Sequence, residues 1–338
     1  MNYPEILGIL LIFYIILNKI FISKNFFLDP SKKLSHKSFL NESSSIPFSG
    51  GILILISCLI FLTSEYNVLK LFLSSICIIG ILSDTEILKS PIKRIICQTF
   101  IVSIFLIISG TLINSVRIEY LDNFLEIYQF KLLFTMFCLL IIINGTNFID
   151  GLNTLVAVYY IMVITCILYL KYQFNFDYET EVLKITLLAL VIFLFYNFLG
   201  KVYLGDNGSY LLSFLIGITL INISNNNDFI SPYFVACLLW YPAYENLFSI
   251  IRKQLKKISP SQPDNKHLHQ LIFIRLKKKL KFNQILLNTF TGLVINIYNL
   301  VVFVISVNNF SNTKILLLIL ITNMLIYTFL YSILKKGA

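Results

Sequence analysis

The chain has 338 residues, 57% of them hydrophobic and only 13% charged, with a mean hydropathy of +0.81 and a formal net charge of +10. A soluble domain carries roughly 25% charged residues, so too few polar side chains remain here to clothe a soluble surface of this size. The composition calls for a bilayer, and a positive charge spread between apolar segments argues against nucleic acid as the partner.

A spanning helix needs about 20 mostly apolar residues. Eleven stretches meet or approach that length: 5–23, 48–64, 67–83, 95–114, 131–148, 152–171, 182–200, 209–225, 230–251, 284–306 and 313–334. The third and eighth are short. The segments are continuously apolar, whereas barrel strands alternate over about 10 residues. The expected fold class is therefore all-α, a polytopic integral membrane protein with about eleven transmembrane helices and a single membrane domain over 1–338. The first segment lacks a basic start, and Lys19-Ile20-Phe21-Ile22-Ser23-Lys24 offers no small-residue cleavage site, so it reads as a retained span. Six cysteines, at 58, 77, 97, 138, 166 and 237, all fall inside apolar segments and form no Cys-x-x-Cys pair. They read as small buried hydrophobes, with neither a disulfide framework nor a zinc site suggested.

Alternating the loops separates the basic residues. One side holds the loops near 24–47, 84–94, 145–151, 201–208 and 252–283 and the tail Lys335-Lys336, with 20 of the 27 Lys and Arg. The other side holds six, and Lys19 lies within the first segment. This bias sets the N-terminus outside and the C-terminus in the cytoplasm, which requires an odd number of spans. The run Arg275-Leu276-Lys277-Lys278-Lys279-Leu280-Lys281 beside a span suits anionic lipid headgroups.

The loops on the basic side carry the chemistry. In order they offer Ser35-His36-Lys37; Ser83-Asp84-Thr85-Glu86 with Lys93-Arg94; Asn144 to Asn153 with Asn147 and Asp150; Gly205-Asp206-Asn207-Gly208-Ser209; and Pro263 to His269 with Lys266, His267 and His269. All three histidines are among them. Carboxylates at the edges of apolar helices are costly and are functional candidates by default, although a solvated loop residue or a helix cap is the plain alternative for any one of them, Asp84 above all. Asp150 and Asp206 are read as sitting at helix starts. Hard carboxylate oxygens suit magnesium, which also bridges substrate phosphates. Glycines such as Gly205 admit backbone close to phosphate, and Lys93, Arg94 and Lys266 supply positive charge. His267-Leu268-His269 lacks the i,i+4 spacing of a two-histidine zinc site. No Walker loop occurs, which disfavours an ATP-driven pump.

These motifs, in their order and sidedness, resemble the polyprenyl-phosphate N-acetylhexosamine-1-phosphate transferase family, the bacterial glycosyltransferase family 4 of O-antigen and teichoic-acid initiating type. Asn144 to Asn153 looks like its Asn-rich Asp-Gly motif, Gly205 to Ser209 its Gly-Asp-x-Gly-Ser motif, and Pro263 to His269 its Pro-Asp-x-x-His-x-His loop. The resemblance runs from His36 to His269, and the last two helices match in number only. It implies attack of a polyprenyl phosphate on the β-phosphorus of a UDP-sugar with loss of UMP, at the bacterial inner membrane. It further implies Mg2+ (or Mn2+) on Asp206, aided by Asp150 or Asp84. Asn144, Asn147 and Asn153 would contact the donor, and His267 and His269 the sugar phosphate. A homodimer is left open. Two departures stand out: the family's Asp-Asp pair is Ser83-Asp84 here, and Asn153 replaces a frequent second Asp. Ser83 is expected to be tolerated, because a phosphate monoester is largely ionised near pH 7 without a protein base. The alternatives are a secondary transporter and an inactive homologue serving as a scaffold. No internal repeat supports the first; Ser83 motivates the second.

Overall fold

The computed structural model describes residues 3–28, 46–176, 178–257, 259 and 266–336. Ser35 to Lys37 and Pro263 to Asn265 lie outside them. Fourteen α-helices run through the described residues: α1 Tyr3–Ser23, α2 Gly50–Phe61, α3 Asn67–Asp84, α4 Pro91–Ser109, α5 Glu119–Leu125, α6 Tyr128–Ile149, α7 Leu155–Phe174, α8 Glu181–Phe198, α9 Gly205–Asn226, α10 Pro232–Leu238, α11 Trp240–Leu255, α12 Leu268–Lys279, α13 Gln284–Asn308 and α14 Thr313–Lys336. Nine are long and apolar enough to cross a bilayer, with a 3-10 turn at Ser64–Tyr66 extending α3, and α10 with α11 could form a tenth span. This is a multi-pass membrane protein.

Each of the eleven expected stretches has its helix, with two corrections. The stretch 48–64 folds as the 12-residue α2, roughly 18 Å long and too short for a whole bilayer. The stretch 230–251 breaks at Leu239 into α10 and α11, bent by 75°. A break at membrane depth frees backbone groups that protein must satisfy, and the Tyr159 hydroxyl donates to the Leu238 carbonyl at 2.7 Å. Helix starts are signalled locally elsewhere. Ser90 caps α4 ahead of Pro91, Ser231 caps α10 ahead of Pro232, and Asn283 accepts from the Ile285 N–H at the start of α13.

The centre of the bundle is α9. Its most apolar stretch is 83% buried, against 22% to 50% for the other spans, and it packs on α2, α3 and α6. Small residues let those backbones approach closely. A Cβ at Gly80 of α3 would collide with the backbone of Asp206 and Asn207, and one at Gly51 of α2 with Gly208. Aromatic edges fill the layer beneath, where Phe105 of α4 meets both Phe72 of α3 and Phe214 of α9.

Overpacking a tight contact costs about 1–3 kcal/mol or more. Gly80→Val should lower the melting temperature in detergent by more than about 5 °C. Gly8→Val, at a position with open space around it, should leave it unchanged; equal melting of the two variants would refute the close approach of α3 to α9.

Candidate functional site at the basic end of the bundle

The basic loops leave α9 with an awkward beginning. Its first turn, Gly205-Asp206-Asn207-Gly208, is buried, and the first N–H groups of a helix have no partner within it. No side chain at the N-cap supplies one. Asp84, the last residue of α3, reaches across instead: Oδ1 accepts from the Asp206 N–H at 2.9 Å, and Oδ2 from the Asn207 N–H at 3.0 Å and the Asn207 Nδ2 at 2.7 Å. A carboxylate here also complements the helix dipole. Gly205 adopts φ +78, and a Cβ on it would lie 2.7 Å from Asp84 Oδ2. The glycine expected to admit a phosphate thus admits the carboxylate of Asp84. The motif read as loop 201–208 begins the helix.

Asp206 is the hub of the site and is 3% exposed. Its Oδ2 accepts from Ser83 Oγ at 2.5 Å, from an Arg94 guanidinium N–H at 2.9 Å and, at 3.4 Å, from the Tyr210 hydroxyl. Its Oδ1 accepts from Asn147 Nδ2 at 2.6 Å. Arg94 also donates to Ser83 Oγ at 2.6 Å, closing a triangle of Ser83, Arg94 and Asp206. Four helices therefore converge on one carboxylate: α3, α4, α6 and α9. A cavity of about 230 Å³ opens beside Asp84, lined also by Asn25, Phe27, Phe48 and Glu86. A larger one, of about 380 Å³, lies at the opposite end of the bundle against Tyr3, Glu65, Lys171 and Glu179, away from every motif.

The Asn-rich motif is placed differently from its reading as a loop. α6 continues to Ile149, so Asn144 and Asn147 are helical, and Asp150 closes α6 instead of starting a helix. Asn147 faces Asp206, whereas Asn144 donates to Gln98 Oε1 at 3.0 Å and to the Leu140 carbonyl at 2.9 Å. Asn153 is 3% exposed and sits against α13, where its N–H donates to Asn288 Oδ1 at 2.6 Å. Lys93, in the first turn of α4, and Lys266, just ahead of α12, are exposed.

The histidine loop forms a second cluster. His267 precedes α12, and the Gln270 side chain accepts from its N–H at 3.1 Å. Its Nδ1 lies 2.9 Å from Glu245 Oε1 on α11. The ring packs on Phe148 at 5.2 Å between centroids and stacks with His269 at 5.8 Å and 11°. His269 is completely buried; a Cβ on Gly151 would lie 2.6 Å from its Nε2. Gly151 thereby brings the Asp-Gly motif against the histidine loop. Burial pushes the His269 imidazole down to about 3. Burial favours its neutral form, and the side chain has no exposed surface.

Among the described residues no group of three or more His, Cys, Asp or Glu side chains gathers as a metal cage. Magnesium more often uses one or two carboxylates together with substrate phosphates. Both oxygens of Asp206 already accept hydrogen bonds, one of them from the cationic Arg94, so a metal there would share the carboxylate with that guanidinium. The sequence reading passed over Ser83 as a hydrogen-bonding partner, and also Asn207, Gln98, Tyr210 and Glu245. Glu245 carried a visible signal, a lone carboxylate within an apolar stretch.

Residues 66–224 match glycosyl transferase family 4. The chain is 26% identical to the Bacillus subtilis (strain 168) "Probable undecaprenyl-phosphate N-acetylglucosaminyl 1-phosphate transferase", over 71% of this chain and 67% of that protein. It is 25% identical to the Salmonella typhi undecaprenyl-phosphate alpha-N-acetylglucosaminyl 1-phosphate transferase, over 67% and 65%, so it spans about two thirds of these relatives. The Thermotoga maritima protein of the same name is 25% identical over 77% of each chain.

The buried neutral His269 makes a thermodynamic prediction. Burial pushes its pKa in the fold down to about 3, below the ordinary imidazole value of 6.5, so the unfolded chain binds the extra proton between those values. Its contribution to stability is complete above pH 6.5 and is lost as pH falls towards 3. The melting temperature in detergent should fall from pH 7 to pH 5 in the parent and fall less in His269→Leu. Parallel curves for the two would contradict a buried neutral imidazole.

Proposed function

We propose that the chain, whose residues 66–224 match glycosyl transferase family 4, transfers an N-acetylhexosamine 1-phosphate from a UDP-sugar to a polyprenyl phosphate, releasing UMP. The observation that carries the reading is the convergence of Ser83, Arg94, Asn147 and Asp206 on one buried point at the mouth of α9. The relatives, named as undecaprenyl-phosphate N-acetylglucosaminyl 1-phosphate transferases, support the acceptor and the transferred group. In the reaction an oxygen of the lipid phosphate forms a bond to the β-phosphorus of the donor. The bond from that phosphorus to the bridging oxygen breaks, and the electron pair leaves with UMP. Little covalent work falls to the protein; alignment and charge neutralisation dominate such transfers.

The residues divide that work as follows. Arg94, anchored by Asp206 and Ser83, would present the free part of its guanidinium to phosphate oxygens. Lys93 and Lys266 would add positive charge at the rim. Asn147, held by Asp206, would orient the diphosphate, and Asp150 would border the donor beside Gly151. Asp84 acts through α9 by holding its first turn. Magnesium, carried by Asp206 and the substrate phosphates, would stabilise negative charge on the departing UMP. His267 would meet the donor at the opposite wall of the site.

The reading sets the N-terminus outside and the basic end of the bundle in the cytoplasm of a bacterial inner membrane. The lopsided basic residues support this, and exposed Arg275, Lys277, Lys278 and Lys279 on α12 would rest on anionic headgroups. Single cysteines on a cysteine-free background test it. A membrane-impermeant maleimide should label position 179 in intact cells and position 278 only after permeabilisation; the reverse pattern would invert the topology.

The chemical test is UMP release by purified protein given polyprenyl phosphate and UDP-N-acetylglucosamine or another UDP-N-acetylhexosamine. Asp206→Asn should lower kcat by a hundredfold or more, about 3 kcal/mol of transition-state stabilisation, and chelator should abolish turnover. Ser83→Ala loses one hydrogen bond and should keep activity within about tenfold. An Asp206→Asn variant within threefold of the parent would take Asp206 out of the reaction. A Ser83→Asp variant that gains several orders of magnitude would mark the natural chain as an inactive homologue.

A further inference from the structure

Glu245 is a carboxylate with no exposed surface, on α11 within the bundle. Burying an ionised carboxylate costs several kcal/mol unless a partner repays it, and a hydrogen-bonded pair of this kind can often be replaced by apolar side chains without loss of stability. The fold alone therefore gives weak reason for an acid at this position. Its charged or titratable neighbours are His267 and His269 of the histidine loop, Tyr241 a turn earlier on α11, and Tyr327 of α14, with Arg252 farther along α11. The hydrogen bond that singles one of them out is the 2.9 Å contact to His267 Nδ1.

That contact fixes the ring. A carboxylate is an acceptor, so Nδ1 carries the proton and donates it to Glu245, and the lone pair or second proton is left to Nε2. Rotation is blocked as well, because the imidazole lies between Phe148 at 5.2 Å and His269 at 5.8 Å. His269 is in turn seated on Gly151. Unlike His269, the His267 side chain keeps some exposed surface, 8%.

We propose that Glu245 is a positioning residue for the transfer: it holds His267 by Nδ1 so that the opposite edge of the imidazole, Nε2, hydrogen-bonds the sugar-phosphate end of the UDP-sugar donor. This rests on the transferase reading above. The arrangement parallels the carboxylates that orient metal-bound imidazoles, whose removal costs about ten- to a hundredfold, and here the imidazole would face a phosphate or sugar hydroxyl instead of a metal. α11 lies past the end of the family match at residue 224, so the assignment adds a helix to the site.

The chain has only three histidines, which makes [15N]histidine NMR in detergent decisive. The parent should show His267 protonated at Nδ1, with its Nε2 signal moving on titration with UDP-N-acetylglucosamine. In Glu245→Met the His267 signals should become a mixture of tautomers while those of His269 stay in place. If Glu245→Met fails to fold, Glu245→Gln, which keeps an acceptor of the same shape, should retain the Nδ1 proton but weaken the response to the donor. In turnover, Glu245→Met and His267→Gln should each lower kcat/KM for the donor by about ten- to a hundredfold. The double variant should lie within about threefold of His267→Gln alone, because Glu245 acts through that ring. Unchanged His267 signals in Glu245→Met, a parent Nε2 signal indifferent to donor, or losses that multiply in the double variant would each overturn the proposal. A parent that moves its Nε2 signal but releases no UMP would keep the Glu245–His267–donor contact and sink the transferase reading, and with it the role in transfer.

Discussion

The N-terminus of α9 is the constraint around which the site is arranged. In a bilayer every backbone polar group must find a partner within the protein, and the first turn of α9 is buried with no cap of its own. Asp84 of α3 supplies that partner through two backbone N–H groups and one side-chain amide. The requirement fixes more than one bond. α3 must end at the height where α9 begins, Gly80 and Gly51 must be bare enough for α9 to fit between them, and Gly205 must turn through positive φ to admit the carboxylate. Once those conditions hold, the next side chain, Asp206, points into the junction of α3, α4, α6 and α9.

A buried Asp206 then needs compensation, since a carboxylate taken out of water without partners is strongly destabilising. Arg94, Ser83, Asn147 and Tyr210 provide it. The same problem recurs at the other wall, where Glu245 is compensated by His267. Gly151 ties the Asp-Gly turn to the histidine loop through His269. The two buried acids stand on different helices, and each holds a group able to meet phosphate or sugar. In both places the polar side chains are packed as the core is packed, so the groups are held in place before any ligand arrives.

The number and order of the apolar segments were legible in the sequence because hydropathy reads length directly. It does not read direction, so the 75° break at Leu239 and the truncation of α2 escaped. Asp206 was read at a helix start and opens α9, but its partners Ser83 and Arg94, more than a hundred residues away in the chain, were not legible. Asn144 and Asn147 fall inside the expected span 131–148, which α6 bears out, but their partners on α4 and α9 were not legible. Asp150 and Asp206 were grouped by chemistry, yet one closes α6 and the other opens α9. The described parts of the motifs gather at one end of the bundle. Glu245 belongs to none of the loop motifs, although a single acid inside an apolar helix is the stronger oddity in a bilayer.

The serine at position 83 can be judged by counting charge. An aspartate there would set its carboxylate against Asp206, to which Ser83 Oγ now donates at 2.5 Å, and Asp84 lies next along the chain. Two such anions at hydrogen-bonding distance cannot both stay ionised unless a cation joins them, and Arg94 brings a single positive charge. With serine the balance closes: Arg94 neutralises Asp206, the N-terminus of α9 accommodates Asp84, and the hydroxyl links acid to guanidinium as both donor and acceptor. Serine therefore carries no charge of its own here and keeps a polar contact to both Asp206 and Arg94.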